Sequence, residues 1–168
     1  MKKLTLTILL INTLLLFSCK HDPITTDIDW ELYEMAQKTG GFVWYKNSDA
    51  AVNKSNESGH LSPKLRTRFN SVAASFLDVN GKVIPNTIFP NGSLIVKELL
   101  SNRETLQRYA ILYKDDTHEY ADSKGWVWGY IDANGSVAES ATEKGKSCTG
   151  CHSQPGNIDY SLMNIALP

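Results

Sequence analysis

The chain has 168 residues, enough for one domain, and a formal net charge of −1. That charge, with no basic patch, argues against nucleic acid as a partner. There are only three cysteines, and two of them fall in one short motif near the C-terminus.

The basic start Met1-Lys2-Lys3 leads into an apolar run from Leu4 to Phe17, broken only by Thr5, Thr7, Asn12 and Thr13. The run is shorter than the roughly 20 residues that a membrane span needs, so it reads as the apolar region of a secretory signal. It ends in Leu16-Phe17-Ser18-Cys19, which resembles the lipobox of bacterial lipoproteins. The expected organisation is a signal peptide over 1–18, a lipid-anchored tether over 19–26 with Cys19 as the lipidated residue, and a folded domain over 27–168. Lys20 follows Cys19 where enteric bacteria place Asp to retain a lipoprotein in the inner membrane. The expected location is therefore the outer membrane, on its periplasmic side or at the cell surface. More than one acyl chain is needed for stable anchoring.

Asp27 to Lys38 is predicted as an amphipathic helix with Ile28, Leu32 and Met35 on one face, stopped by Gly40-Gly41. Phe42 to Tyr45 is a short strand, and the polar stretch from Lys46 to His60 is a surface loop. Leu65, Thr67 and Phe69 alternate with Arg66, Arg68 and Asn70, which predicts a strand over 65–69. A short helix then runs from Asn70 or Ser71 to about Leu77. Asn80-Gly81 and Pro90-Asn91-Gly92 mark turns. Three further strands follow over 93–99, 107–114 and 126–131. Trp126, Trp128 and Tyr130 lie on one face of the last, and Asp132 to Gly135 turns the chain after it. The fold class is α+β: an antiparallel sheet of about five strands with a few short helices.

Cys148-Thr149-Gly150-Cys151-His152 is the attachment signature of a c-type haem. Two sulfurs three residues apart lie on one side of a helical turn, where they can reach the vinyl groups of one porphyrin edge. The adjacent His152 can then offer a neutral imidazole to the iron. Half of a zinc site would need two more ligands, and His21, His60 and His118 are scattered. A thioredoxin-like pair would need a βαβ context, which is lacking. In an oxidising compartment, thioether bonds would consume both thiols. The expected cofactor is covalent haem c, held by Cys148 and Cys151, with His152 as the metal ligand.

The order of motifs resembles the cytochrome P-460 family, which includes cytochrome c′-β. The likeness runs from about Leu65 to Asn164. It rests on Leu65 to Phe69, on Phe89-Pro90-Asn91-Gly92-Ser93-Leu94-Ile95-Val96-Lys97-Glu98-Leu99, on Gly125 to Trp128, and on Cys148 to His152 followed by Asp159-Tyr160. The resemblance implies a haem that handles small nitrogen species such as nitric oxide or hydroxylamine. It also implies an unidentified redox partner and a homodimer as the assembly to test. Lys97 matches the lysine that bonds to a porphyrin meso carbon in true cytochromes P-460, a bond that the c′-β branch lacks. On its own strand Lys97 shares a face with Ile95 and Leu99, a costly place for an unpaired ammonium. Arg66 matches the family's pocket arginine, with Arg68 on the same face as the alternative. Lys97 and Arg66 are thus the candidate catalytic residues, and Lys97 a further haem contact.

Hydroxylamine-oxidising members place a carboxylate where Ala110 stands, which tilts the reading from turnover toward binding of nitric oxide. Glu98 and Glu119 are the other acids considered. Phe89 is expected in the core, with a cap over the haem as its alternative. His60 and His118 are expected as exposed loop histidines, leaving five-coordinate iron with one open face. The competing function is an electron-transfer cytochrome in which His60 or Met163 supplies a sixth ligand.

Overall fold

The computed structural model describes residues 26–161. The signal segment, Cys19, His21 and Met163 lie outside them. The Thr26 side chain accepts a hydrogen bond from the Asp29 amide and caps helix α1 (Asp27–Gln37), whose first turn carries Asp27 and Asp29. Ile28, Leu32 and Ala36 recur four residues apart and form the buried stripe of this helix. The Asp29 carboxylate is buried and accepts from Ser140 Oγ and the Ala141 amide, both at 2.8 Å. The helix start is thereby tied to the chain segment that leads into the cysteine motif.

Among the described residues, seven antiparallel strands form one sheet in the order β1-β3-β4-β5-β6-β7, with β2 also pairing β3. They are β1 (Val43–Trp44), β2 (Val52–Asn53), β3 (Lys64–Phe69), β4 (Leu94–Leu100), β5 (Leu106–Lys114), β6 (Trp126–Asp132) and β7 (Val137–Glu139). The long strands match the expected antiparallel α+β fold, and two short strands add to it. β2 lies inside the stretch expected to be loop. β7 forms because the Asn134-Gly135 turn folds the chain back onto β6. Helix α2 spans only Ser71–Ala74, capped by Asn70. It stops before Leu77 because the Asn80-Gly81 turn draws residues 76–77 against 83–84: Leu77 bridges Val83, and the Ile84 amide donates to the Phe76 carbonyl at 3.0 Å.

Because side chains alternate across a strand, the sheet separates its sequence into two faces. Leu94, Val96, Tyr109, Ile111, Val127 and Ile131 form a core with the apolar stripe of α1. The other face is built in rows by the strand register. One row runs Phe69, Ile95, Leu112, Trp128, and the next runs Thr67, Lys97, Ala110, Tyr130, Glu139. Phe89 is fully buried on this second side, edge-on to Phe76 and Trp126, and so takes the expected core role.

Candidate haem site

Helix α3 (Thr149–His152) is four residues long and follows a run of turns, with the Cys148 backbone already in the right-handed helical region. The His152 amide donates to the Cys148 carbonyl at 3.1 Å, and the Thr149 amide to the Gly145 carbonyl at 2.8 Å. Gly145 has φ 67°, and a Cβ there would lie 2.6 Å from the Trp128 indole, so only glycine allows the motif this close to β6. Beyond the helix, Asp159 and Tyr160 both take left-handed backbone angles, φ 42° and 66°. The Asp159 carboxylate accepts from Lys114 Nζ at 3.0 Å and from the Phe89 amide at 2.9 Å, while Trp126 Nε1 donates to the Asp159 carbonyl at 2.9 Å. This clamp holds the Tyr160 carbonyl where it accepts a hydrogen bond from His152 Nδ1.

That bond assigns a tautomer to His152. A carbonyl only accepts, so Nδ1 carries the proton and Nε2 keeps its lone pair. The ring is buried, edge-on to Trp128 with centroids 5.0 Å apart. Burial, opposed by the Tyr160 hydrogen bond and reinforced by the charge of Lys97, lowers its pKa to about 4. At neutral pH His152 is therefore a neutral imidazole, the form that binds iron.

His152, Cys148, Cys151 and Lys97 all line one cavity of about 230 Å³. Its floor is the second face of the sheet, with Ile95, Leu112 and Trp128 as apolar wall. Cys148 is half-buried, and burial raises its thiol pKa; Cys151 is exposed at the rim. Lys97 is 8% exposed and has no hydrogen-bond or ion-pair partner among the described residues. Burial alone brings its pKa down to about 8. Two thiols at the rim, an oriented neutral imidazole and an apolar wall fit a haem edge. Among the described residues, no group of three or more His, Cys, Asp or Glu side chains is placed to hold a metal ion directly.

Arg66 does not reach this cavity. Its strand partner is Glu98, so the pleat sends it to the opposite face from Lys97. There Arg66 Nε donates to Glu98 at 2.6 Å and its guanidinium stacks on Trp44. Arg68, fully buried on that same face, pairs with Glu98 and donates to the Ala36 carbonyl. Both arginines and Glu98 are thus removed from the candidate pocket by strand parity. Glu119 is exposed, and His118 bonds the Tyr120 amide away from the cavity.

Ala110 does line the cavity, as aligned, and brings no carboxylate. Glu139, from β7, and His60 also line it. His60 is not an exposed loop residue. Tyr130 stacks on its ring at 5.8 Å, and the loop is pinned by Lys54 Nζ donating to the His60 carbonyl at 2.9 Å. The signal for Glu139 was the Asn134-Gly135 turn, which implies a returning strand beside Tyr130. His60 had no comparable local signal.

The family model for cytochrome P460 matches residues 45–161, more than half of the chain and all of the cavity. The chain belongs to the cytochrome P460 family. This membership makes it a haem protein and points to small nitrogen species as what its haem handles. No curated protein matches the chain.

Proposed function

We propose that this cytochrome P460 family member carries a covalent haem c on Cys148 and Cys151, with His152 on the iron, and binds nitric oxide on the open face. The observation that supports it is convergence. Residues separated by some fifty positions in sequence, Lys97 and the Cys148–His152 motif, share one cavity inside the matched segment. The haem would supply an iron site for a diatomic ligand and an electron for redox change. The protein's part is local: Tyr160 orients the proximal imidazole, the apolar wall discourages water, and Lys97 meets the haem edge. Lys97 Nζ has no other partner among the described residues, which supports its role as a haem contact and as a candidate for covalent attachment.

A second reading is oxidation of hydroxylamine, favoured by Glu139, which could take the proton that Ala110 cannot. The six-coordinate electron-transfer reading is the competitor, with His60 as the ligand within reach of the cavity. At the N-terminus, the apolar run that ends at Cys19 supports export and lipid anchoring at the outer membrane, and the resemblance supports testing for a homodimer.

The test is production in a host competent in cytochrome maturation. The reduced pyridine haemochrome and whole-protein mass should show haem on two thioethers, with the ferrous form high-spin and reactive toward nitric oxide. A colourless product with both thiols open to alkylation would overturn the reading. A tryptic digest reports lipid at Cys19 and any haem bonded to the Lys97 peptide. Rapid reduction by hydroxylamine in the wild type, lost in Glu139→Gln, would select the second reading.

A further inference from the structure

We propose that His60 is the distal hydrogen-bond donor of this site: it points an Nε2–H into the haem cavity and contacts the ligand bound to iron rather than binding the iron itself. The inference rests on the haem reading above and assigns its open face a specific polar contact.

The argument begins on β6. Trp128 and Tyr130 are two residues apart and therefore on one face, roughly 7 Å apart along the strand. Trp128 carries His152 edge-on, and Tyr130 carries His60 stacked at 24° between planes. The two imidazoles are thus held over adjacent rows of one sheet face, and both line the same cavity. Lys97 and Tyr130 belong to the His60 row, and Ile95 and Leu112 to the His152 row.

Hydrogen bonding then distinguishes the two rings. His60 Nδ1 lies 3.3 Å from the Tyr130 hydroxyl. The Arg108 guanidinium packs over the Tyr130 ring at 4.5 Å and places a positive charge beside the phenol. Arg108 is itself anchored by Asp132. A neighbouring cation makes a phenol a stronger donor and a weaker acceptor, so the Tyr130 hydroxyl turns its proton toward His60. Nδ1 of His60 therefore accepts, and in a neutral ring the proton sits on Nε2. Burial, with the charges of Lys97 and Lys54, lowers the His60 pKa to about 3, which keeps the ring neutral. Nε2 has no protein partner among the described residues.

His152 and His60 consequently show opposite tautomers. The first has a free lone pair at Nε2, as a metal ligand requires. The second has a proton there, as a donor to a bound ligand requires. The backbone around His60 is fixed to match: Lys54 holds its carbonyl, and Ser62 Oγ donates to Gln107 at 2.9 Å just beyond it. The ring is therefore set in place before a ligand arrives.

The experiment uses haem-loaded protein, with carbon monoxide as probe of the ferrous iron and nitric oxide as ligand. Wild type, His60→Leu, His60→Gln and Tyr130→Phe are compared, with pyridine haemochrome run on each sample. A donor lowers the C–O stretch of the bound probe, so His60→Leu should raise it, and Gln, which still donates, should restore part of the difference. Tyr130→Phe should move the stretch the same way by less, because it frees the tautomer. Nitric oxide should leave His60→Leu about three- to tenfold faster, the range of one neutral hydrogen bond. A low-spin six-coordinate wild type that becomes high-spin in His60→Leu would overturn the proposal by making His60 a ligand. Unchanged stretch across all variants would overturn it as well. In both cases the haem reading stands, whereas absence of haem in the wild type removes that reading and the inference together.

Discussion

Lys97 and Glu98 are consecutive residues of β4, both buried, and the pleat sends them to opposite faces of the sheet. On the Glu98 face, Arg68 and Arg66 take up the carboxylate and α1 seals the core above them. On the Lys97 face, a buried ammonium has no partner among the described residues and borders an open cavity. One strand thus carries a charge that is compensated within the protein beside one that is not. The compensated face belongs to stability. The uncompensated one marks where the protein expects another molecule, because an unpaired buried charge is costly in a finished core.

That contrast can be broken from either side. The largest effect is expected from Glu98→Leu, which strands the buried Arg68. It should cost about 3–5 kcal/mol in chemical denaturation while the haem spectrum stays unchanged. Lys97→Met should do the reverse in haem-free protein and stabilise it by about 3 kcal/mol near neutral pH. The sign follows from its pKa, about 8 in the folded chain against 10.5. Below pH 8 both folded and unfolded states hold the proton, and the folded state bears the full penalty. Between 8 and 10.5 the unfolded state holds the proton longer, so wild-type stability rises with pH and the advantage of Lys97→Met fades. A flat difference across that range would mean that Lys97 is paired. Asp159→Asn should cost about 2 kcal/mol by weakening the Lys114 clamp, and should also shift the reduction potential through the His152 hydrogen bond. Arg66→Ala should be the mildest, under about 1 kcal/mol for a partly exposed pair, with no change in ligand binding. A changed haem spectrum in that variant would return Arg66 to the pocket.

Which parts of this contrast were legible beforehand depends on how local the signal is. Strands β3 to β6 show in the alternation of their residues, and the haem motif in five consecutive letters. Lys97 stood out because it shares a strand face with Ile95 and Leu99. Arg66 lies on the face away from the cavity for a reason that its own strand does not reveal. Its strand and its side-chain alternation follow from the sequence, but the pairing of β3 with β4 decides which face meets the cavity. That register is a tertiary fact: Thr67 opposes Lys97, so Arg66 cannot. His60 was hidden for a related reason. Its one apolar neighbour, Leu61, is itself exposed and signals no burial, and its partner Tyr130 is 70 residues away. Glu139 fell between these cases, since a turn signal preceded it but its three-residue strand was too short to register by period.

The seven strands of the described residues precede Cys148 in the chain, while the clamp that seats the motif involves Phe89, Lys114 and Trp126, each laid down earlier. The order of assembly follows from this. A chain emerging from its N-terminal side can complete the sheet first and present a finished docking surface to the last segment. Asp159 then works as a latch, engaging strand ends that already exist, with the Cys151 thiol still facing outward and open to chemical modification. Slowing that final docking step should lengthen the interval in which the thiols can be reached, without disturbing the scaffold that awaits them.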